Sequence, residues 1–369
     1  MSFTSTILQW FRENGRDLPW RQTRDPYAIW LSEIILQQTR IEQGLPYWER
    51  FMQRWPTVEQ LAAASEDEVL REWQGLGYYS RARHLHEAAR QVVAMGGFPH
   101  SIEGLRALKG VGDYTAAAIG SFAFGLPAAV VDGNVYRVLA RHFGIATPIN
   151  TTDGKHEFAA LAQSLLPAQH CSMFNAQCSM FNVQPPSSLY NQAIMDFGAT
   201  HCTPQAPRCP DCPLMETCVA LREGTVSQLP AKLKTLKVRE RHLAYIYIRW
   251  QGQTAIHRRG EGDIWQGLYE PLCIEEGGGM SVEGGVMSVE GGGSPLILLR
   301  QAVRHVLTHR VLLADFYLWE PAEQPPLPDG YFWISEDDID RYALPRLIEK
   351  MVEEVRKHDE NEGYVNRNE

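Results

Sequence analysis

Long apolar runs, a secretory leader and an excess of positive charge are three features that this 369-residue sequence lacks. No stretch approaches the roughly 20 consecutive apolar residues that span a bilayer. Residues 1–10 contain no basic start, no apolar core and no cleavage site of the small-residue type. These absences predict a cytoplasmic protein that does not enter a membrane.

The formal net charge of −9 argues at first against a nucleic-acid partner. The acidic excess is uneven, however: residues 1–222 hold 18 basic and 20 acidic side chains, whereas residues 223–369 hold 17 and 24. Residues 231–249 contain six basic side chains and one acidic one, a segment compatible with phosphate contact. A solvated linker would have the same composition, so charge alone does not decide between the two.

Cysteine is also scarce, but four of the seven cysteines fall within 17 residues. They are Cys202, Cys209, Cys212 and Cys218, separated by six, two and five residues. In a chain expected to be cytoplasmic, such grouping indicates metal binding rather than disulfides. Soft thiolates bind either zinc or an iron–sulfur cluster, and the spacing does not distinguish these. A centre of this kind can hold a loop without taking part in chemistry.

Apolar periodicity predicts a first part that is helical, with the clearest helix over residues 26–39. Further helices are predicted over 59–73, 81–95, 101–108, 115–124 and 134–143. Beyond about residue 240, β-branched and aromatic residues at 243–250 and 310–319 predict the strands of an α/β domain.

These changes in character divide the chain into four parts. Residues 1–222 are predicted to form an all-α domain that includes the cysteine loop 202–218. Residues 223–240 are predicted as a linker, residues 241–350 as the second domain and residues 351–369 as a polar tail. Two short duplications, at 171–184 and 279–291, are interpreted as additions to surface loops, and their residues Cys171 and Cys178 receive no metal role.

The segment LSEIILQQTR at 31–40 places one carboxylate, Glu33, in the middle of an apolar helix. A carboxyl group among apolar neighbours has a raised pKa, which suits a general acid. A glutamate at the solvent edge of the helix would produce the same sequence.

Two glycine-containing turns precede predicted helices. In LKGVGDYTA at 108–116, Gly110 and Gly112 permit a sharp hairpin, and the start of the next helix offers N–H groups to a phosphate. An ordinary connection between two helices is the alternative. In VVDGNVYRV at 130–138, Asp132 either serves chemistry or caps the following helix.

Taken in order, these motifs resemble the helix–hairpin–helix DNA glycosylase superfamily and, within it, the adenine DNA glycosylases of the MutY type. The resemblance covers most of residues 5–220 and implies that the cysteine loop carries a [4Fe–4S] cluster. The matching segments are LSEIILQQTR (31–40), GLGYYSRARHL (75–85), LKGVGDYTAAA (108–118), VDGNVYRVLAR (131–141) and NQAIMDFGATHCTP (191–204), followed by the cysteines.

The resemblance implies the catalytic roles. Glu33 would protonate adenine at N7, Asp132 would stabilise the oxocarbenium-like sugar, and Asn134 would orient the groups around them. Tyr114 stands where strand-cleaving relatives carry a lysine, which implies a monofunctional enzyme. Any strand cleavage through neighbouring Lys109 is then expected to be slow and incidental.

The resemblance also implies the DNA contacts. Gly110, Val111 and Gly112 would bind the DNA backbone, and base removal requires the adenosine to leave the stack. The residues implied to contact the bases are Trp20, Arg21 and Gln192, which would line the adenine pocket, and Gln37, Gln38 and Tyr78, which would contact the duplex. For Trp20 and Tyr78, core packing is the alternative role.

The second domain resembles a Nudix-like module that recognises 8-oxoguanine, with Thr308 and His309 at the base-recognition position. The match is carried by residues 265–271 and 305–309, and the Nudix catalytic pattern is missing, so no nucleotide hydrolysis is expected. The implied function is removal of adenine opposite 8-oxoguanine or guanine from double-stranded DNA, by a nucleoid-associated enzyme that is a monomer by family analogy. The alternatives are an endonuclease III-like glycosylase and lyase, and a non-catalytic DNA-binding redox sensor.

Overall fold

The computed structural model describes residues 2–167, 185–233, 239–262, 264–275, 295–307 and 309–365. The chain forms two compact units. The first comprises Met1–Ala63 and His84–Lys234, and the second comprises Ala64–Arg83 and Thr235–Glu369. Segment 64–83, which the sequence-based division placed in the first domain, therefore packs with the C-terminal unit.

Helices account for the regular structure before the first strand, within the described ranges. In chain order they are α1 (Phe3–Asn14), α2 (Pro26–Ile35), α3 (Ile41–Arg54), α4 (Val58–Ala63), α5 (Glu66–Trp73), α6 (Ser80–Ala94), α7 (Ile102–Arg106), α8 (Asp113–Phe124), α9 (Gly133–Phe143), α10 (Thr152–Ser164), α11 (Pro186–Asp196) and α12 (Val219–Arg222). Short 3₁₀ turns cover Pro19–Arg21 and Met215–Thr217, and a π-helical turn covers Phe197–His201.

Two of the predicted helices have different bounds in the structure. One ends earlier than predicted, and the other is divided into two helices. Helix α2 ends at Ile35, and Gln38 in the turn beyond it has φ +57°, which lies outside the helical region. The helix predicted over 59–73 is divided at Ser65, whose hydroxyl accepts from the backbone N–H of Glu68 while the Glu68 carboxylate accepts from the backbone N–H of Ser65. This capping box starts a new helix, α5.

Helix α2 is buried on all sides, from Tyr27 to Ile35. A helix that is apolar all round lies in the interior of a domain, which explains how it carries Glu33 into the core. Elsewhere in the first unit, α1, α9, α10 and α11 share an apolar core that contains Ile7, Leu139, Phe158 and Ile194.

The second unit is built on a mixed sheet. Its strands are β1 (Arg239–Trp250), β2 (Gln253–Arg258), β3 (Tyr269–Glu270), β4 (Leu272–Glu275), β5 (Ile297–Val306), β6 (Arg310–Trp319) and β7 (Tyr331–Ser335). Strand β1 pairs in parallel with β6 and antiparallel with β2 and β4. Strands β5 and β6 form an antiparallel pair at one edge. The all-α region followed by an α/β region is thus confirmed.

The polar tail predicted over 351–369 is helical as far as residue 365, within α13 (Arg346–Val365). Met351, Val352 and Val355 of this helix are buried in the core of the second unit together with Leu347 and Ile348. Apolar residues three or four positions apart form a stripe on one face of this helix. The composition of the segment does not reveal the stripe, because most of its other residues are charged. No helix among the described residues combines the length and apolarity that a membrane span needs.

Candidate active site

A cleft in the first unit brings together side chains from distant parts of the chain. The predicted site residues that line it are Trp20, Arg21, Glu33, Tyr114, Asp132, Asn134 and Gln192. They come from the 3₁₀ turn after α1 and from helices α2, α8, α9 and α11, so only the packing of these helices makes them neighbours.

Glu33 is 7% exposed, which excludes the solvent-edge alternative. Its Oε2 accepts a hydrogen bond of 2.7 Å from the Tyr114 hydroxyl. The pKa of Glu33 is raised from an ordinary 4.5 to about 7, because burial and nearby Asp132 raise it more than the Tyr114 hydrogen bond and the Arg21 charge lower it. Glu33 therefore holds its proton in a range where an ordinary glutamate has lost it.

Asp132 fulfils both roles that the sequence allowed, because it caps α9 and also lines the cleft. Its Oδ1 accepts from the backbone N–H groups of Asn134 and Val135, at 2.9 and 2.8 Å. Its Oδ2 accepts from the Asn134 amide at 2.7 Å. Burial raises the pKa of Asp132, while these hydrogen bonds and Arg137 act to lower it.

Arg137 is a site residue that sequence reasoning missed. Its guanidinium donates to Asn134 Oδ1 at 2.8 Å, to the Gly198 carbonyl at 2.6 Å and to the Cys202 carbonyl at 2.7 Å. It therefore connects the group that orients Asp132 with the first cysteine of the loop. An arginine three positions after Asn134, on the same predicted helix, was the available signal.

Asp196 is a second missed residue, fully buried at the end of α11. Arg21 donates to both of its carboxylate oxygens, at 2.8 and 2.7 Å, and Arg16 donates to it from its backbone and its side chain. Although burial disfavours the charge, these hydrogen bonds lower the pKa of Asp196. This ion pair orients Arg21 within the cleft. A single acidic residue in an otherwise uncharged helix was the signal.

The remaining predicted base contacts in the first unit lie in the cleft or next to residues that line it. Trp20 is 8% exposed and packs its ring edge-on against Trp48, so it belongs to the core as well as to the cleft wall. Gln192 donates to the Ser188 hydroxyl at 3.2 Å. Gln37 and Gln38 lie in the turn after α2, where the Gln37 amide donates to the Thr115 hydroxyl at 3.3 Å.

The predicted hairpin connects α7 and α8. Gly110 has φ +72°, and a Cβ there would meet His84 Cβ at 2.7 Å, so both backbone conformation and space favour glycine. Val111 is buried beneath the turn, and Gly112 precedes the first residue of α8 without a side-chain cap. The N–H groups at the start of α8 therefore have the geometry that suits an anion.

The four loop cysteines line one cavity in the first unit. None is in a disulfide, and burial raises the pKa of Cys212 to about 11. Buried Arg141 donates to Cys202 Sγ at 3.4 Å and to the carbonyls of Thr203 and Pro204 at 2.7 and 3.1 Å. This arginine supplies positive charge to the loop and fixes its backbone, as a set of thiolate ligands requires.

The other predicted contact residues lie in the second unit. Tyr78 is 49% exposed, which excludes core packing for this side chain. His309 lies in the turn between β5 and β6, where its carbonyl accepts from the Arg239 N–H. Thr308, Cys171 and Cys178 fall outside the described residues.

Comparison with known protein families agrees with this architecture. Residues 31–167 match the family model of the HhH-GPD superfamily base excision DNA repair proteins. Residues 244–354 match the model of the NUDIX domain. The fold class is therefore a helix–hairpin–helix glycosylase domain followed by a Nudix-like domain.

Individual relatives define the family more closely. The chain is 32% identical over 270 residues to the adenine DNA glycosylase of Buchnera aphidicola subsp. Schizaphis graminum, covering 72% of this chain and 73% of the relative. The chain belongs to the adenine DNA glycosylase family. It is also 43% identical over 246 residues to the adenine DNA glycosylase of Mus musculus, covering 63% of this chain but 44% of the mouse protein. The chain thus spans less than half the length of that relative.

Among solved structures, the chain resembles a thermostable thymine-DNA glycosylase with a TM-score of 0.52 and 32% identity. The match covers 60% of this chain and 95% of that structure. The helical architecture is thus shared with a glycosylase whose name specifies a different base. The fold alone therefore does not determine which base is removed.

Proposed function

We propose that this protein is an adenine-specific, monofunctional DNA N-glycosylase that removes adenine opposite 8-oxoguanine or guanine in double-stranded DNA. The observation that carries the proposal is that Glu33 and Asp132 line the same cleft. The pKa of Glu33 is raised to about 7, and the negative charge of Asp132 contributes to this increase. Two carboxyl groups with different environments are suited to act as an acid and as an anion.

Glu33 acts as the general acid. It transfers its proton to N7 of the extruded adenine, so that the bond between C1′ and N9 breaks and the base departs uncharged. With a pKa of about 7, roughly half of the Glu33 side chains carry the proton near neutral pH. A water molecule then bonds to C1′ and returns a proton to the Glu33 carboxylate, which restores the acid and leaves an abasic sugar.

Asp132 acts as the anion that stabilises the positive charge developing on the sugar. Three donors from Asn134 and Val135 hold its carboxylate in place before the reaction begins, so little reorganisation is needed at the transition state. The Asp196–Arg21 ion pair holds one cleft wall in place.

The monofunctional assignment rests on Tyr114. A lyase requires an amine that forms a Schiff base with C1′, and the Tyr114 hydroxyl instead donates to Glu33. The neighbouring amine of Lys109 lies 3.5 Å from the Glu87 carboxylate and is not part of the cleft lining.

The preference for 8-oxoguanine is proposed for the Nudix-like domain, with Thr308 and His309 contacting the damaged base. The match of residues 244–354 to the NUDIX domain model supports this role.

We assign a [4Fe–4S] cluster to Cys202, Cys209, Cys212 and Cys218, where it would hold the loop beside α9. The four thiols line one cavity, and soft thiolates bind either such a cluster or zinc. The membership of the chain in the adenine DNA glycosylase family supports the cluster. Metal analysis after anaerobic purification distinguishes the two, because the cluster gives iron, sulfide and visible absorption, whereas zinc is colourless.

The activity is tested by incubating the protein with a duplex that holds one adenine opposite 8-oxoguanine, followed by alkali. We expect breakage at that adenine only after alkali, no breakage in an A:T duplex, and loss of breakage with Glu33→Gln. Breakage without alkali would identify a lyase. DNA binding without breakage would identify a non-catalytic DNA-binding protein. An A:G duplex measures the relative preference.

A further inference from the structure

The segment that carries Tyr78 has an unusual backbone. Gly75, Gly77 and Tyr78 have φ angles of +97°, +72° and +48°. The left-handed region costs a glycine little but is uncommon for a residue with a large side chain. Holding the Tyr78 backbone in this conformation therefore costs free energy that other contacts must offset. Its 49% exposure shows that burial of the ring is not the compensating gain.

Arg81 contacts this turn from the first turn of α6. Its guanidinium carbon lies 5.6 Å from the centre of the Tyr78 ring and 5.1 Å from the centre of the Trp73 ring. Both distances fall within the range of a cation–π interaction. Trp73 is fully buried, so the guanidinium is bound to a fixed platform as well as to the exposed ring.

The same guanidinium binds the backbone that leads to Tyr78. Its Nη2 lies 3.3 Å from the Gly77 carbonyl and 3.4 Å from the Leu76 carbonyl. The Trp73 indole N–H donates to the same Gly77 carbonyl at 3.0 Å, and the Arg81 N–H donates to the Tyr78 carbonyl at 2.8 Å. Arg81 thus contacts the side chain of Tyr78 and the backbone on both sides of it.

We propose that Arg81 is a positioning residue that holds Tyr78 as a preformed wedge for insertion into the DNA stack. The inference rests on the proposed function, in which Tyr78 contacts the duplex. An exposed tyrosine free to change rotamer would lose that freedom on insertion, and a ring already held in place avoids this cost. A planar cation is suited to the task because it contacts two rings while its N–H groups reach the carbonyls.

The test combines Arg81→Met and Tyr78→Ala in a double-mutant cycle. The first readout is the fluorescence of a 2-aminopurine placed beside 8-oxoguanine in the duplex, which increases when the base unstacks and requires no catalysis. The second is the single-turnover rate of adenine excision. We expect Arg81→Met to reduce unstacking and to slow excision about tenfold, the size of one lost aromatic stacking contact.

In the Tyr78→Ala background, Arg81→Met is expected to change both readouts by less than about twofold, because the residue through which it acts is gone. Arg81→Lys retains the positive charge but not the planar guanidinium. Both of its readouts should therefore lie between those of Arg81→Met and the wild type. Arg83→Met is the matched control, since Arg83 lies on the same helix and donates to the Gln266 carbonyl rather than to the Tyr78 turn.

Thermal unfolding of each variant checks that the fold is retained. An equal loss from Arg81→Met with and without Tyr78 would overturn the proposal, as would an equal loss from Arg83→Met. Unstacking by a wild-type protein that excises no adenine would reject the proposed function alone, and the fluorescence cycle would still decide the role of Arg81.

Discussion

The Tyr114 hydroxyl donates a 2.7 Å hydrogen bond to Oε2 of Glu33, across 81 positions of the chain. This bond favours the carboxylate and therefore limits how far burial raises the pKa of Glu33. Burial and the Tyr114 hydrogen bond thus have opposite effects on the pKa of Glu33, and each effect can be removed separately.

Removal of the Tyr114 hydroxyl should shift the pH dependence of excision. With a Glu33 pKa of about 7, the single-turnover rate of the wild type should decline as pH rises through 7. Tyr114→Phe removes a bond that lowers the pKa, so the decline should move to higher pH. Tyr136→Phe, a substitution of the same kind outside the cleft lining, should leave the profile unchanged. A shift to lower pH would show that the bond does not favour the carboxylate.

Glu33→Gln should make the protein inactive but more stable at alkaline pH. Because the Glu33 pKa is raised from 4.5 to about 7, the wild type gains stability from the bound proton below pH 4.5 and loses it as pH rises through 7. Glutamine does not titrate, so its advantage in free energy of unfolding should grow over this window to about 3 kcal/mol at most. Urea unfolding at pH 5 and pH 8 measures it, and a pH-independent difference would refute the buried-acid assignment.

The two roles of Asp132 can be separated by substitution. The Asp132→Asn side chain would still cap α9, because asparagine is as good an N-cap as aspartate, whereas alanine would not. We therefore expect Asp132→Asn to retain stability but lose activity by about 100-fold or more. Asp132→Ala should lose the activity and, in addition, about 1 kcal/mol of stability. Thermal unfolding and single-turnover excision measure the two effects. Substantial activity in Asp132→Asn would mean that the negative charge is not required.

Loss of Arg137 should affect the cleft and the cysteine loop together. Arg137→Met leaves the carbonyls of Gly198 and Cys202 and the Asn134 side chain without their donor. Unsatisfied buried acceptors predict a loss of about 3 kcal/mol in the free energy of unfolding. We also expect lower activity and lower iron content after purification.

Arg222→Met is the control for Arg137, since Arg222 follows the loop but is 68% exposed. It should change stability by no more than about 0.5 kcal/mol. Equal iron content in the two variants would show that Arg137 does not stabilise the loop that holds the cysteines.

The sequence by itself determined those features that depend only on residues close together in the chain. The cysteine spacing, the glycines of the hairpin at 110 and 112, and the buried helix α2 all follow from residues close together in the chain. Family motifs marked Glu33 and Asp132 in the same way. The division of the predicted helix at Ser65 was also encoded locally, in a capping box that the apolar pattern concealed.

Tertiary structure decided everything that depends on burial or on long-range contact. The raised pKa of Glu33 comes from desolvation and from Asp132 at the start of α9, against the hydrogen bond from Tyr114 on α8. The Asp196–Arg21 and Arg137–Cys202 contacts join residues 175 and 65 positions apart. Tertiary structure also decided that segment 64–83 packs with the C-terminal unit. It likewise decided that the apolar face of α13 is buried, although the helix is rich in charged residues. Spacing can specify a turn or a helix, but only the packed chain excludes water and sets which charges face one another.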